Sequence, residues 1–139
     1  MNKYIDLISQ DKGMRILIIV IVLDVIFGVL RAIKERKLNS TIGIDGIIRK
    51  VGMLITIIVS LVIDNLVNID LIGFIPEELK NYLSIGKMGI ASVFTTLYCV
   101  FEILSILKNM IKCKMPIPKK LQSFLEKLLK EFTSEIKEW

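Results

Sequence analysis

Three acidic side chains lie inside long apolar segments, where a charged group is unusual. Asp24 lies in the segment Ile16–Ile33, Asp64 lies in Val51–Ile69, and Glu102 lies in Met88–Leu107. At ~1.5 Å per residue, each segment would be about 27–30 Å long as a helix, which matches the hydrocarbon core of a bilayer. A carboxylate at that depth is costly, so it usually faces a protein interior or water. The acids therefore indicate a function that involves water, ions or association inside a membrane.

The remaining residue types argue against covalent chemistry. The chain has no histidine, and its two cysteines, Cys99 and Cys113, are too far apart for a CxxC or zinc pattern. It also has no nucleophile–base constellation, phosphate-binding loop or metal-ligand cluster. We therefore expect a protein that is not an enzyme and that needs no metal and no cofactor.

Small and polar residues form stripes along the apolar segments. In the second segment they recur every four residues and so share one helical face. That stripe is Gly52, Thr56, Ser60, Asp64 and Asn68; the third segment carries Ser92, Thr95, Cys99, Glu102, Ser105 and Asn109; the first carries Asp24, Gly28 and Ala32. Two interpretations stay open: the stripes are seams where helices meet, or they line water after the protein has oligomerised.

The three acids differ in the partners that the sequence offers them. Glu102 is predicted near the cytoplasmic end of its helix, close to several basic residues. Asp64 is predicted nearer the outer side. Asp24 is predicted near the bilayer centre, with no basic residue at its depth. We expect Asp24 to be protonated, or hydrogen-bonded across a subunit seam.

Composition and residue spacing together predict an all-α membrane protein with three transmembrane helices and a C-terminal amphipathic helix, and the polar stripes lead us to expect assembly as a homo-oligomer. The 139 residues are 53% hydrophobic with a mean hydropathy of +0.63, although 24% are charged. The charges are segregated, as in spans separated by polar loops. We divide the chain into a polar N-terminal lead (1–15), a three-span membrane domain (16–109) and a cytoplasmic tail (110–139). The net charge of +5 is interpreted as topology and lipid contact, with no nucleic-acid partner.

Basic residues predict the orientation. Segment 31–50, interpreted as a cytoplasmic loop, has six of them, and the chain from Lys108 onward has eight, which makes fourteen of the nineteen. The six are Arg31, Lys34, Arg36, Lys37, Arg49 and Lys50. The positive-inside rule then predicts a multi-pass protein of the cytoplasmic membrane with its N-terminus out and its C-terminus in.

The tail has a helical pattern of apolar residues. They are Leu121, Phe124, Leu125, Leu128, Leu129, Phe132 and Ile136. This spacing predicts an amphipathic helix that packs on its neighbours or on the inner leaflet. A dedicated partner-docking helix is the alternative.

An ordered set of short motifs runs along most of the chain. It comprises Asp24-x-x-x-Gly28, Arg31-Ala32, Asn39-Ser40, Gly43-Ile-Asp-Gly46, Arg49-Lys50, Asp64, the stretch from Phe101 to Asn109 and Pro116-Ile-Pro118-Lys-Lys-Leu121. Over residues 16–121 this set resembles the toxin-secretion/phage-lysis holin family, and most of all the holins encoded beside large clostridial toxins. Lys114 departs from the pattern, because the family often has a glycine there that would end the helix.

The resemblance implies a function that composition alone does not supply. Holins collect in the cytoplasmic membrane and then assemble into lesions through which an endolysin or toxin crosses. The implied partners are further copies of the chain, membrane lipids and the passenger endolysin or toxin. A small oligomeric ion channel would also place acids in its spans, and an antiholin-like regulatory subunit is a further alternative.

Overall fold

The computed structural model describes residues 2–36, 40–83 and 85–137, and within that part of the chain every regular element is an α-helix. The helices are α1 (Asn2–Gln10), α2 (Lys12–Lys34), α3 (Ser40–Val67), α4 (Glu77–Tyr82), α5 (Ile90–Lys112) and α6 (Lys119–Lys137). The chain forms two compact units. Unit 1 comprises residues 1–19 and 39–100, and unit 2 comprises residues 20–38 and 101–139.

Three helices are long and apolar enough to cross a membrane, which confirms the prediction of three spans. They are Lys12–Lys34, Gly43–Val67 and Ile90–Lys112. Between 11% and 17% of the residues in their most apolar windows are buried. Most of the apolar surface of the spans is therefore left for contact with lipid or with other protein.

Local sequence features mark where two of the helices begin: a side-chain cap at α2, and a proline followed by two acidic residues at α4. The Asp11 carboxylate accepts the backbone N–H of Met14 at 2.6 Å, which satisfies one of the unpaired N–H groups at the start of α2. Helix α4 follows Pro76 and has Glu77 and Glu78 in its first turn, where negative charge complements the helix dipole.

Each of the three spanning helices is followed by a residue in the left-handed conformation. The φ angles are 52° at Arg36, 58° at Asn68 and 54° at Lys114. At Lys114 the backbone forms a Schellman motif, because Met115 N–H donates to Met110 C=O at 3.1 Å and Lys114 N–H donates to Ile111 C=O at 2.8 Å. Lys114 thus ends α5 in the conformation that glycine adopts most easily.

The interpretation of 31–50 as a loop is wrong in its secondary structure. Helix α2 continues to Lys34 and α3 begins at Ser40, so the connection between them is a few residues long. Isoleucines at 42, 44, 47 and 48 extend the apolar pattern of α3 toward its start. Asp45 and Arg49 also have opposite charges four residues apart, which favours a helix.

Two shorter helices were not predicted from the sequence. The N-terminal lead contains α1, which packs against α3 within unit 1. The connection between α3 and α5 contains α4. Both are short elements whose sequences have too few residues to show a clear period.

Candidate functional site

The Asp64 carboxylate caps helix α5 within unit 1. Its Oδ1 accepts the backbone N–H of Ile90 at 2.9 Å, and its Oδ2 accepts the N–H of Ala91 at 2.8 Å. These N–H groups lie in the first turn of α5 and have no carbonyl partner inside the helix. A carboxylate also interacts favourably with the positive end of the helix dipole. The contact ties the last turns of α3 to the start of α5 and supplies Asp64 with hydrogen-bond donors.

Gly89 allows this close approach. A Cβ atom at position 89 would lie 2.2 Å from Asp64 Oδ2 and 2.5 Å from its Cγ. With a side chain at position 89 the Asp64 carboxylate would have to move away, so glycine lets it stay within hydrogen-bond distance of the start of α5. At Gly86, three residues earlier, a Cβ would meet nothing within 4 Å.

A recess with a mixed polar and apolar lining adjoins the Asp64 cap. It has a volume of about 210 Å³, and Asp64, Asn65, Asn68 and Lys87 line it together with Leu7, Leu61 and Ile69. The Lys87 ammonium donates to Asn68 Oδ1. A space of this size and polarity can hold several water molecules. Asp64 therefore lies beside a space that can hydrate it, which lowers the cost of a carboxylate near the end of a span.

A second close approach joins the start of α2 to α5, also within unit 1. A Cβ at Gly13 would lie 3.0 Å from Thr95 Cγ2, and Thr95 is buried. Ser92 is exposed, and its carbonyl accepts the Thr96 hydroxyl at 2.9 Å. Cys99 is half-buried. Of the predicted third-segment stripe, Thr95 is therefore a helix contact inside the chain.

The hydroxyl groups of the α3 stripe are bonded to their own helix. Thr56 Oγ1 donates to the Gly52 carbonyl at 2.9 Å, and Ser60 Oγ donates to the Thr56 carbonyl at 2.8 Å. Ser60 is buried, whereas Gly52 is exposed and a Cβ there would meet nothing within 4 Å. Because the hydroxyls are satisfied within the helix, this face does not need a polar partner to be stable in lipid.

A hydrogen-bond relay crosses unit 2 between α2 and α5. Asn109 Nδ2 donates to Asp24 Oδ1 at 3.3 Å, and Asn109 Oδ1 accepts from Arg31 Nη1 at 3.4 Å. Arg31 Nε also donates to Glu35 Oε1 at 3.1 Å. Asp24 and Asn109 are both buried, whereas Arg31 and Glu35 are half-buried. We call Asp24, Asn109, Arg31 and Glu35 the α2–α5 relay.

The relay gives Asp24 a hydrogen-bond donor within its own chain. From the sequence we expected Asp24 to be protonated or hydrogen-bonded across a subunit seam. Asn109 was predicted as part of the third-segment stripe, but not as the donor to Asp24. Gly28 lies beside the same amide, since a Cβ there would be 3.8 Å from Asn109 Nδ2. Asn109 therefore belongs with the predicted site residues Asp24, Gly28 and Arg31.

Glu102 is buried in unit 2, and Ser105 on the next turn is half-buried. Among the described residues, every fully buried side-chain nitrogen and oxygen has a hydrogen-bond partner. The fully buried polar side-chain atoms of the described spans are thus satisfied within one copy of the chain, as burial away from water demands.

The basic residues predicted for segment 31–50 fall on separate elements. Arg31 and Lys34 lie in the last turns of α2, and the Lys34 ammonium donates to the Cys113 carbonyl, just beyond α5. Arg36 lies in the turn after α2. Arg49 and Lys50 lie in α3, where Arg49 is exposed and Lys50 is half-buried. Lys37 lies outside the described residues.

Sequence analysis also missed Gly89. The local signal was a glycine directly before the first residue of α5, where a close backbone contact is common. The sequence does not show which acid approaches that backbone, because Asp64 is 25 positions earlier in the chain.

Comparison with known proteins identifies similar chains. A model of the bacteriophage holin family matches residues 6–130. The holin-like protein TcdE of Clostridioides difficile is 38% identical over 136 residues, which is 98% of this chain and 82% of that protein.

Two further similar proteins come from Clostridium perfringens. An uncharacterised 14.9 kDa protein in the nagH 3′ region is 30% identical over 86% of this chain and 79% of its own length. An uncharacterised protein of strain 13 is 29% identical over 86% of this chain and 77% of its own length. No solved structure matches this chain.

Proposed function

Because this chain belongs to the bacteriophage holin family, we propose that it collects in the bacterial cytoplasmic membrane, assembles as a homo-oligomer and forms lesions through which an endolysin or a toxin leaves the cell. This action needs no covalent chemistry and no cofactor. Three helices from one copy cannot enclose a path wide enough for a folded protein. The lesion is therefore built from many copies.

One observation carries the proposal: several polar side chains of the spans are buried, while most of the large side chains exposed on the spans are apolar. Buried polar residues include Asp24, Glu102 and Asn109 in unit 2, and Ser60 and Thr95 in unit 1. Exposed positions of the spans carry Ile, Val and Leu, for example Ile19 at 60% and Ile48 at 62% exposure. Such a copy dissolves in lipid and conducts nothing by itself.

Lesion formation then turns part of the polar stripes toward water. In the α2–α5 relay, Asp24 and Asn109 satisfy each other and can exchange those partners for water in a lumen. Thr56 and Ser60 need no such exchange, because their hydroxyls are bonded to α3 itself. We propose that the relay face, together with Glu102, is the part of the protomer that becomes hydrated.

The orientation of the chain in the membrane and the packing of its C-terminal tail complete the proposal. The fourteen basic residues of segment 31–50 and of the chain from Lys108 onward favour a cytoplasmic location for both segments, with the N-terminus outside. Helix α6 has its Leu125 side chain buried in unit 2, while Leu121 and Phe124 stay exposed. The amphipathic pattern of the tail thus supports packing on one side and contact with the inner leaflet on the other.

Inducible expression in bacteria tests this function. Membrane potential and release of a cytoplasmic enzyme are measured together, with membrane accumulation followed by immunoblotting. The proposal expects loss of potential together with enzyme release after a delay. Loss of potential without enzyme release would favour an ion channel. Accumulation with neither effect would favour an antiholin-like regulator. Either result contradicts the proposal.

A further inference from the structure

The connection between α3 and α5, residues 68–89, exposes an unusual amount of apolar surface for a loop in water. We call it the α3–α5 loop. Phe74 is 83% exposed and Tyr82 is 86% exposed. Four further large apolar side chains are exposed between them or close by: Leu71, Leu79, Leu83 and Ile85. Aromatic and aliphatic side chains collected in this way mark a surface that binds something apolar.

The α3–α5 loop is folded around one carboxylate. Asp70 Oδ1 accepts the backbone N–H groups of Ile72 and Met88, each at 3.2 Å, and Asp70 Oδ2 accepts Lys80 Nζ at 3.3 Å. The N–H of Leu71 donates to the Met88 carbonyl at 2.8 Å. These bonds join the two ends of the loop and attach α4 to them. The exposed aromatic residues are therefore presented by an ordered backbone.

Most polar groups that such a loop would carry into an apolar environment are paired internally. Lys80 is buried, and its ammonium contacts Asp70 and also Glu77 at 3.4 Å. Backbone N–H groups at Gly73, Ile75, Leu79, Lys80, Leu83 and Ile85 all donate to carbonyl groups within the loop. Paired groups cost much less to move out of water than unpaired ones.

Chain continuity places the α3–α5 loop at the surface of the bilayer. It follows the last residue of one spanning helix, Val67, and leads into the first residue of the next, Ile90. The exposed apolar surface begins before the loop, since Leu66 and Val67 are 67% and 66% exposed. It then continues through Leu71 to Phe74. The apolar face of the loop is thus an extension of the lipid-facing surface of α3.

We propose that the α3–α5 loop is a preformed interfacial anchor, with Phe74 and Tyr82 seated among the phospholipid headgroups and upper acyl chains. Aromatic side chains, and tyrosine above all, are favoured at that depth because the ring is apolar and the hydroxyl stays hydrated. The charged residues of the loop are Asp70, Glu77, Glu78, Lys80 and Lys87, which gives a formal net charge of −1. Anchoring therefore depends on the aromatic rings and not on headgroup charge.

Tryptophan fluorescence of the full chain in phospholipid vesicles tests the anchor. Trp139, the single tryptophan of the chain, is first replaced by Phe. Phe74→Trp and, separately, Tyr82→Trp then report on the aromatic positions. Asn81→Trp is the matched control, because Asn81 is an exposed polar residue of α4. Vesicles of zwitterionic lipid and of lipid with added anionic phosphatidylglycerol are compared, with and without bromine on the upper acyl chain.

The anchor predicts a blue shift of emission at positions 74 and 82 relative to position 81. It also predicts a loss of emission on brominated lipid and weak quenching by acrylamide, in both lipid compositions. Acrylamide quenching at 74 and 82 equal to that at 81 would place the loop in water and overturn the proposal. A blue shift that disappears when protein is diluted in excess lipid would show that a second copy covers the face, and would also overturn it. Neither measurement requires lesion formation, so the result is independent of the holin function.

Discussion

Gly89 is the residue where a single added carbon should do the most damage. In Gly89→Ala the new Cβ would lie 2.2 Å from Asp64 Oδ2, so the carboxylate must leave the start of α5. Loss of a helix N-cap costs about 1–2 kcal/mol. We expect a lower thermal unfolding midpoint in detergent for this variant. Gly86→Ala is the control, because its Cβ meets nothing within 4 Å. Equal midpoints for the two variants would contradict the close contact.

The α2–α5 relay can be tested by exchanging its carboxylate and amide. Asn109→Asp alone places a second carboxylate beside Asp24, whereas adding Asp24→Asn restores one amide and one carboxylate and keeps an acceptor for Arg31. We therefore expect Asp24→Asn to rescue Asn109→Asp. The coupling should be about 0.6–1.7 kcal/mol, the range found for hydrogen bonds between membrane helices.

A double-mutant cycle on the unfolding free energy in detergent measures this coupling. The control pairs Asp24→Asn with Asn65→Asp, since Asn65 is exposed on α3 and outside the relay. Coupling of the same size in the control pair would remove the relay as the cause. If the relay must open during lesion formation, Asn109→Asp should also trigger earlier than the wild type at equal membrane accumulation.

The Asp70–Lys80 pair should hold the α3–α5 loop over a wide pH range. Burial raises the pKa of Asp70, but hydrogen bonds from Met88, Ile72 and Lys80 outweigh it, and the pKa lies below its ordinary value of 3.8. Burial lowers the pKa of Lys80, but Asp70 and Glu77 outweigh it, and the pKa lies above its ordinary value of 10.5.

The stabilising effect of Asp70 is therefore complete above pH 3.8 and is lost as the pH falls through its lower folded-state pKa. The stabilising effect of the Lys80 ammonium is complete below pH 10.5 and is lost as the pH rises through its higher folded-state pKa. The tryptophan fluorescence of Phe74→Trp in the Trp139→Phe background should therefore stay constant between pH 3.8 and pH 10.5. A transition near neutral pH would show that other groups control the loop.

At the level of the helices, the three spans end in the same way. Arg36, Asn68 and Lys114 all have a positive φ angle, and none of them is glycine. A left-handed conformation costs about 1–2 kcal/mol for a residue with a side chain. Lys114→Gly should therefore stabilise the protein by about 1 kcal/mol. The measurement is the unfolding free energy in detergent.

The control for this prediction is the same substitution inside a helix. Lys108 is exposed within α5, so Lys108→Gly should destabilise by about 1 kcal/mol. Both variants remove one lysine, so a shared charge effect would move them in the same direction. Opposite signs support the Schellman motif at Lys114, and equal signs contradict it.

The sequence predicted the spanning helices because apolar length is a strong and local signal. It did not predict α1 or α4, and it placed a loop where α3 begins, because Gly43, Gly46 and charged residues weaken the apolar pattern there. The contacts of Asp24 and Asp64 were also not predicted from the sequence. They depend on Asn109 and on the backbone at Ile90, which are 85 and 26 positions away along the chain. A periodic pattern identifies a face but not the residue opposite to it.

For the whole molecule, membrane orientation is the most direct prediction. Single cysteines at Ser40, Glu77 and Ser134, in a background lacking Cys99 and Cys113, can be labelled on intact cells with a reagent that does not cross the membrane. Only the variant at Glu77 should react, because the positive-inside rule predicts that the basic segments lie in the cytoplasm. The same three variants should all react after the cells are permeabilised. Labelling at Ser40 in intact cells would reverse the orientation.

The inward placement of polar side chains has a consequence for timing. A copy whose polar atoms are already satisfied disturbs the ion gradients of the cell very little, so many copies can be stored without harm. Assembly of many copies depends on a high power of their surface density, by mass action. In the proposed assembly, a slow and steady rate of synthesis is converted into a sudden event. In such a system the rate of expression sets the delay, and the protein itself needs no separate sensor.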